Sequence, residues 1–436
     1  MRAQDILKRA AKRCEQAEVF QVWRQETPVS FEANRLKMLE TKETSGLALR
    51  IIKNGRLGLS ATNDPDDIEG LIERAVELSV FGPVAKFDLP GPVEYVPARA
   101  YNQAAADAPV DAMVETGQGM IDALRAGNQE LVCEGGVTKA VSRVEITNTT
   151  GLRAAHKRTT YALGLHGTLI RGTDMLFVGD YATSCKADAD PNKLVARVRE
   201  QLDWAKETVP APTKAVPVVF HPHAVASALL SPLTTALNGR TVLQGASPLQ
   251  GKLGKRLFDK RFSLWDDSTV NMRPASRGFD DEGVPTRKIS LVEDGVPLSF
   301  LYDLQTAGLS GKQSTGSASR GLASLPSPST SLLMVKTGDA TFAQMIAGIK
   351  DGLLIHQLLG AGQGNVLGGE FGGNVLLGYR IQKGEVVGRV KDTMVSGNVY
   401  DVLKKIVAIG KKAEWVGGSL FTPAICCEGV TISSKA

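Results

Sequence analysis

Long apolar runs, disulfide-type cysteine spacing and a large excess of one charge are all missing from this chain, and each absence removes a class of protein. Nowhere do eighteen apolar residues follow one another, so no helical membrane span is expected. Five cysteines, at positions 14, 133, 185, 426 and 427, form an odd set without CxxC spacing. A disulfide framework is not expected, and a reducing, cytoplasmic setting fits this usage. Lys and Arg exceed Asp and Glu by only five. The densest basic run, Lys252 to Arg261, holds the lone aromatic Phe258, so it reads as a solvated face and no nucleic-acid partner is expected. The sequence also lacks G-x-S-x-G, a Walker A loop, an SxxK partner for Lys336-Thr337-Gly338, and any His-Glu pair. Those gaps speak against the corresponding hydrolase and nucleotide-binding classes.

What remains is the composition of an ordinary globular protein, 43% hydrophobic and 22% charged, long enough for two domains. Met1 to Ala17 carries Ala3, Ile6, Leu7, Ala10, Ala11 and Cys14 at helical spacing, an amphipathic helix and not a signal peptide. Short β-rich segments follow from Glu18 to Leu59, with Asn54-Gly55 as a hairpin turn. Asp64 and Pro65 then open a helix that buries Ile68, Leu71, Ile72, Ala75 and Val76. Residues 1–82 thus form a helix-sheet-helix unit, 83–108 a proline-rich connector, and 109–212 a helix with a strand-rich part. The linker Val209-Pro210-Ala211-Pro212 ends this first α+β domain.

Residues 213–436 read as a β-rich α+β domain. Its strands are expected at Val216–Phe220, Ser331–Lys336, Gly352–Leu359, Asn374–Gln382 and Glu385–Lys391. Helices are expected at His223–Leu230, after a cap at Asp339, and from Val399 to Ile409 before Gly410.

The densest grouping of special residues lies between Ser276 and Arg320. Asp280, Asp281 and Glu282 sit between Gly278 and Gly283, a pattern that turns the backbone sharply and presents carboxylates on a loop. Arg287 to Val292, the turn Asp294-Gly295 and Val296 to Tyr302 read as a hairpin carrying that loop. Taken alone, the loop is a solvated turn.

Other candidates are thinner. His221 and His223 flank Pro222 at a strand end and need a third ligand from elsewhere to hold a metal. His156, His166 and His356 are isolated. Cys426 and Cys427 point to opposite faces of a strand, which disfavours joint ligation. Gly360 to Gly364 is followed by another strand instead of the helix a phosphate-cradling loop requires.

Several motifs in order change the reading of the acidic loop. Phe279-Asp280-Asp281-Glu282-Gly283, Arg287, Glu293-Asp294-Gly295, Ser314-Thr315-Gly316 and the later Val395-Ser396-Gly397-Asn398-Val399-Tyr400 resemble the signature of the TldD/PmbA family, also called modulator of DNA gyrase. The similarity runs from Gly46–Arg50 through Ser142-Arg143 and Asn148 to the C-terminal tract. It implies a two-domain α+β fold with mixed and antiparallel sheets and flanking helices.

In the TldD branch an HExxxH motif after a strand supplies two metal-binding histidines and a glutamate base, and a C-terminal cysteine supplies a third ligand. Here Ser231 and Ala236 stand in the histidine positions and Pro232 in the glutamate position, and Trp415 to Ser419 has no cysteine. The chain therefore resembles the PmbA/TldE branch. That likeness implies a non-catalytic subunit with no catalytic or metal-binding residue of its own. Zinc is expected in a TldD-like partner, and the chain is expected to form a homodimer when alone. The implied substrate is an unfolded peptide. Asp280, Asp281, Glu282, Ser314, Thr315, Gly316, Ser396 and Asn398 are carried over as substrate or interface candidates. A metallopeptidase with a rearranged site at His221 or His223, and a non-enzymatic peptide-binding scaffold, are the alternatives.

Overall fold

Alternation along residues 16–62 builds longer strands than the short segments expected there. The computed structural model describes residues 2–434; Met1, Lys435 and Ala436, which the expected first helix and second domain include, lie outside the described residues. Helix α1 (Arg2–Ala10) ends well before Ala17, because Ala17 already belongs to strand β1 (Gln16–Glu32). Beyond it run β2 (Arg35–Leu39), β3 (Lys42–Lys53) and β4 (Arg56–Thr62). Asn54 and Gly55 both take positive φ (50° and 67°), the geometry of a two-residue hairpin turn. Helix α2 (Ile68–Ser79) begins three residues after Pro65, with Asp67 at its N-cap position.

Short α3 (Gln103–Ala106) and long α4 (Val110–Ala126) precede three strands, β5 (Val132–Asn148), β6 (Arg153–Arg171) and β7 (Asp174–Ser184). The first sheet has the order β4-β3-β1-β5-β6-β7, with β2 on β1, and every pairing in it is antiparallel. Successive side chains of β1 turn to opposite faces. Ala17 and Val19 pack under α1 and α2; Phe20, with Ala48 and Ile146, faces the loop that carries Phe279.

Helix α5 (Pro191–Trp204) starts with Asp190 accepting from Asn192 N and stops four residues short of the expected Thr208. Strand β8 (Val218–Phe220) leads into α6 (Pro222–Ala224), a π-helical turn (Val225–Leu230) and α7 (Ser231–Ala236). Helix α8 (Gly239–Leu243), strands β9 (Leu264–Asp266), β10 (Ile289–Glu293) and β11 (Val296–Pro297), and α9 (Leu304–Leu309) follow. The Asp294-Gly295 turn forms, but the return strand stops at Pro297, which has no N–H for the ladder.

After a small ribbon of β12 (Ala318–Ser319) and β13 (Ser327–Pro328) come β14 (Leu333–Val335) and α10 (Phe342–Ala347). Thr341, not Asp339, caps α10, in a reciprocal box with Gln344. Strands β15 (Asp351–Leu359), β16 (Glu370–Gln382), β17 (Glu385–Arg389) and β18 (Thr393–Asn398) precede the single-turn α11 (Val399–Val402). The expected helix to Ile409 gives way at Ile406 to β19 (Ile406–Val416), which pairs with β20 (Leu420–Cys427). Gly410 lies at an irregularity of that pairing instead of closing a helix. Strand β21 (Thr431–Ser434) is last.

The second sheet is mixed: β11-β10-β9-β14-β20-β8-β15-β16-β18-β21, with β17 on β16 and β19 on β20. Its β14–β20 and β15–β8 pairs are parallel. Val218 and Phe220 point into a core with the 222–237 helical segment, whereas Val219 and Leu354 join α4, α5 and the first sheet. The two helices are thus packed between the sheets.

Candidate functional site

The acidic loop is folded inward. A short bridge between Phe279 and Pro285 closes it, and Gly283 takes φ +76° beside Leu152. Asp280 Oδ1 accepts from the amides of Glu282 and Val284 at 2.9 and 3.0 Å, and its Oδ2 accepts from Ala318 N at 2.9 Å. Glu282 Oε2 accepts from Leu304 N at 2.7 Å and its Oε1 receives Arg50 Nη1 at 2.5 Å. Both carboxylates are 0% exposed. The solvated turn expected from the sequence is corrected: the amides of Glu282, Val284, Leu304 and Ala318, with Arg50, satisfy the buried Asp280 and Glu282.

Arg50 comes from the first sheet, where β1 and β3 place it directly opposite Glu18. Arg50 Nη2 lies 2.9 Å from Glu18 Oε2, and Arg320 Nη2 lies 2.8 Å from Glu18 Oε1. Arg320 also stacks 4.0 Å over Phe20. The chain therefore ties its halves together with a buried run Arg320–Glu18–Arg50–Glu282. Burial works against the Arg50 charge, but Glu18 and Glu282 outweigh it and raise its pKa. Burial likewise pushes Glu18 up, and the Arg320 and Arg50 guanidiniums reverse that, leaving it lowered. Burial pushes Glu282 up to about 7 against the pull of Arg50, with Asp280 and Asp303 adding to the rise, and pushes Asp280 up to about 6.

Asp281 is the acid that reaches an opening. It pairs with Arg277 at 3.2 Å, accepts from Arg320 N at 3.0 Å, and lines a cleft of about 480 Å³ between the first sheet and the second half. His156, Arg158, Arg277 and Arg320 share that cleft. Burial and then Arg158 lower the His156 pKa to about 4, so the ring is neutral. Arg158 has no carboxylate partner among the described residues; it donates to Ser142 Oγ at 2.8 Å and Pro274 O at 3.2 Å. The cleft offers guanidinium donors for main-chain carbonyls or carboxylates.

Ser314, Thr315 and Gly316 join the acidic loop. Thr315 Oγ1 accepts from Tyr302 N at 2.8 Å and donates to Ser317 Oγ at 2.8 Å, and Ser314 Oγ donates to Tyr302 O at 3.2 Å. Gly316, at φ +70°, presses against Pro285. Ser396 and Asn398 lie elsewhere, on β18. Asn398 Oδ1 accepts from Tyr400 N and its Nδ2 donates to Gly368 O at 2.9 Å, holding a turn (Val366–Gly368) that packs on α7.

Helix α7 carries Ser231, Pro232 and Ala236, the residues that the resemblance sets against the TldD-branch metal motif. Ser231 is exposed, Pro232 and Ala236 are buried, and the Thr234 and Thr235 hydroxyls donate back to Ser231 O at 3.1 and 3.0 Å. No imidazole or carboxylate projects from α7. At the other end of this segment His356 joins His221 and His223, but the His221 and His356 rings stack 17° from parallel at 4.0 Å. Among the described residues no group of three or more His, Cys, Asp or Glu side chains is arranged to hold a metal.

Glu18, Arg50 and Arg320 are the residues the sequence reading missed. Arg50 inside the apolar run Leu47–Ile52 was the available signal, since a charge in a buried strand demands a partner.

Two sheets with helices packed between them, clamped by a buried ion network, make this an α+β protein. Models described as PmbA/TldA metallopeptidase domain 1 and PmbA/TldA metallopeptidase C-terminal domain match residues 17–79 and 213–434. The chain belongs to the TldD/PmbA family. It is 27% identical to a metalloprotease of Methanothermobacter thermautotrophicus over 86% of this chain and 84% of that one. An uncharacterized protein of Methanocaldococcus jannaschii is 25% identical over 99% and 100%. The crystal structure of TldE from Thermococcus kodakarensis superposes with a TM-score of 0.91 at 25% identity, covering all of both chains.

Proposed function

We propose that this chain is the non-catalytic, TldE/PmbA-type subunit of a cytoplasmic metalloprotease that trims or degrades unfolded peptides, with the zinc carried by a TldD-type partner. The observation that carries the reading is α7, where Ser231, Pro232 and Ala236 offer neither ligand nor base. The likeness to TldE supports it. The arginine-lined cleft beside Asp281 suits the carbonyls of an extended chain, and β21, the last strand on its side of the second sheet, offers an edge for strand addition. Val132, Ile170, Met175 and Phe177 stand exposed on one face at the open end of β5–β7, a surface suited to a partner or a second copy.

Co-expression with a TldD-type chain tests this. A stable heteromer should form, and zinc-dependent cleavage of an unfolded peptide should need the partner's histidines. Zinc-dependent cleavage by the isolated chain would overturn the proposal.

A further inference from the structure

The cleft beside Asp281 is electrically one-sided. Glu18, Asp280, Glu282 and Asp303 are 0% exposed and stand outside its lining. That lining holds Arg158, Arg277 and Arg320 against the single carboxylate of Asp281. Two of the three guanidiniums are already answered. Arg320 meets Glu18 at 2.8 Å and stacks on Phe20, while Arg277 meets Asp281 at 3.2 Å and donates to Ser331 Oγ at 2.9 Å. Both oxygens of Asp281 are engaged, since Oδ2 accepts from Arg320 N at 3.0 Å.

Arg158 is the exception. The pairing of β5 with β6 sets it opposite Ser142, and its Nε and Nη1 are fixed by their bonds to Ser142 Oγ and Pro274 O. Nη2 is left over: it has no partner among the described residues, and it is not one of the polar atoms sealed from solvent. A guanidinium anchored through two nitrogens, with the third open in a cleft lining, is a preorganised donor for an anion.

Further features of the lining narrow the choice of anion. The hydroxyls of Ser319, Thr330 and Ser419 have no hydrogen-bond partner among the described residues, and Val22 and Leu322, half-buried around Phe20, add an apolar wall. The volume of about 480 Å³ falls within the roughly 300–1,000 Å³ range of ligand pockets. A free amino acid would bring its ammonium among these guanidiniums with no unengaged carboxylate to meet it, a like-charge cost. The last residue of a peptide offers the same carboxylate and side chain without that ammonium.

We propose that this cleft takes the C-terminal carboxylate of a peptide whose last side chain is apolar. The carboxylate accepts from Arg158 Nη2, the side chain lies on Val22 and Leu322, and the free hydroxyls serve the neighbouring carbonyl and amide groups. The proposal rests on the peptide-handling reading and names the part of the peptide that this chain grips. It needs neither zinc nor a partner chain.

Calorimetric titration of the full chain, without a partner, tests it with acetyl-Gly-Gly-Leu, the C-terminal amide of that peptide, L-leucine and inorganic phosphate. The acid should bind about tenfold or more tightly than the amide, the worth of one charge-assisted contact, and more tightly than leucine or phosphate. Arg158→Gln, which keeps a donor for Ser142 Oγ, should erase the preference for the acid. The acid and amide are compared on the parent chain, so that result stands even where the variant folds poorly. The proposal is overturned if the acid does not bind at millimolar concentration, if the amide, leucine or phosphate binds as tightly, or if folded Arg158→Gln keeps the preference. Such a failure leaves zinc-dependent cleavage by the heteromer untouched, and loss of that cleavage leaves the acid preference untouched.

Discussion

Glu18 and Arg50 face each other across neighbouring strands of the first sheet, 2.9 Å apart, with side chains 0% and 2% exposed. The second guanidinium nitrogen of Arg50 holds Glu282 from the other half of the chain. One arginine thus satisfies two buried acids from distant stretches, and neither acid has water to fall back on.

Arg50→Ala should therefore destabilise the protein by about 3–5 kcal/mol, the range for removing one partner of a buried pair. Arg50→Lys should recover little, because an ammonium cannot span both carboxylates in the planar fork geometry. Urea denaturation measures both. A loss under about 1 kcal/mol for the alanine variant would mean that the network does not hold the halves together.

The same cluster predicts a pH dependence. Glu18, Asp280, Asp281, Glu282 and Asp303 share the cluster with Arg50, Arg277, Arg320 and Arg158, one carboxylate more than the guanidiniums can balance. The surplus proton goes to the buried Asp280 and Glu282, raised to about 6 and about 7 from the usual 3.8 and 4.5. A carboxyl raised on folding binds its proton more tightly in the native state, so this pair's contribution to stability falls as pH rises through that window. Glu18 runs the other way: its contribution is present above the usual 4.5 and lost as pH drops through its lowered folded value. Buried neutral His156 and His356, lowered to about 4 and about 3, pull stability the other way below the usual imidazole value, so the pair is read by difference: from mildly acidic to neutral pH, Glu282→Gln should gain stability relative to the parent. An unchanged slope in the variant would assign the titration to other groups.

The acidic loop was legible as a loop because glycines bracket three acids. Its burial was not, because Arg50, which β1 and β3 set against Glu18, meets Glu282 only once the two halves of the chain pack. His356 illustrates the same gap: isolated in sequence, it reaches His221 through the parallel register of β8 and β15. The residues Val399, Val402, Leu403 and Ile406 have helical spacing, yet Ile406 and Ile409 are buried in a strand pair with β20. Periodicity over two turns cannot tell a helix from a turn followed by a buried strand. The Asn54-Gly55 and Asp294-Gly295 turns were readable because positive φ leaves few residue choices.

Gly316 separates backbone strain from a steric conflict. A Cβ there would lie 2.4 Å from Pro285 O, whereas at Gly311, also at positive φ (61°), it would meet open space. Gly311→Ala should cost about 1–2 kcal/mol, the left-handed penalty alone. Gly316→Ala should cost more, since the Ser314–Gly316 turn must move off the acidic loop. Equal losses in the two melts would show that the turn shifts freely.

Asn398 does two jobs that one pair of variants can divide. Its Oδ1 caps α11 through Tyr400 N at 3.0 Å, and its Nδ2 anchors Gly368 O at 2.9 Å, beside α7. Asn398→Ala removes both and should cost about 1–2 kcal/mol. Asn398→Asp keeps an acceptor for the cap but turns a second oxygen toward the Gly368 carbonyl, where a donor is needed. Hydrogen exchange followed by mass spectrometry should then show faster exchange over residues 366–369 in both variants, and over 400–403 only in Asn398→Ala. Protection of 366–369 unchanged in Asn398→Asp would mean that the turn beside α7 is held by its own contacts, and that Asn398 acts only as a helix cap.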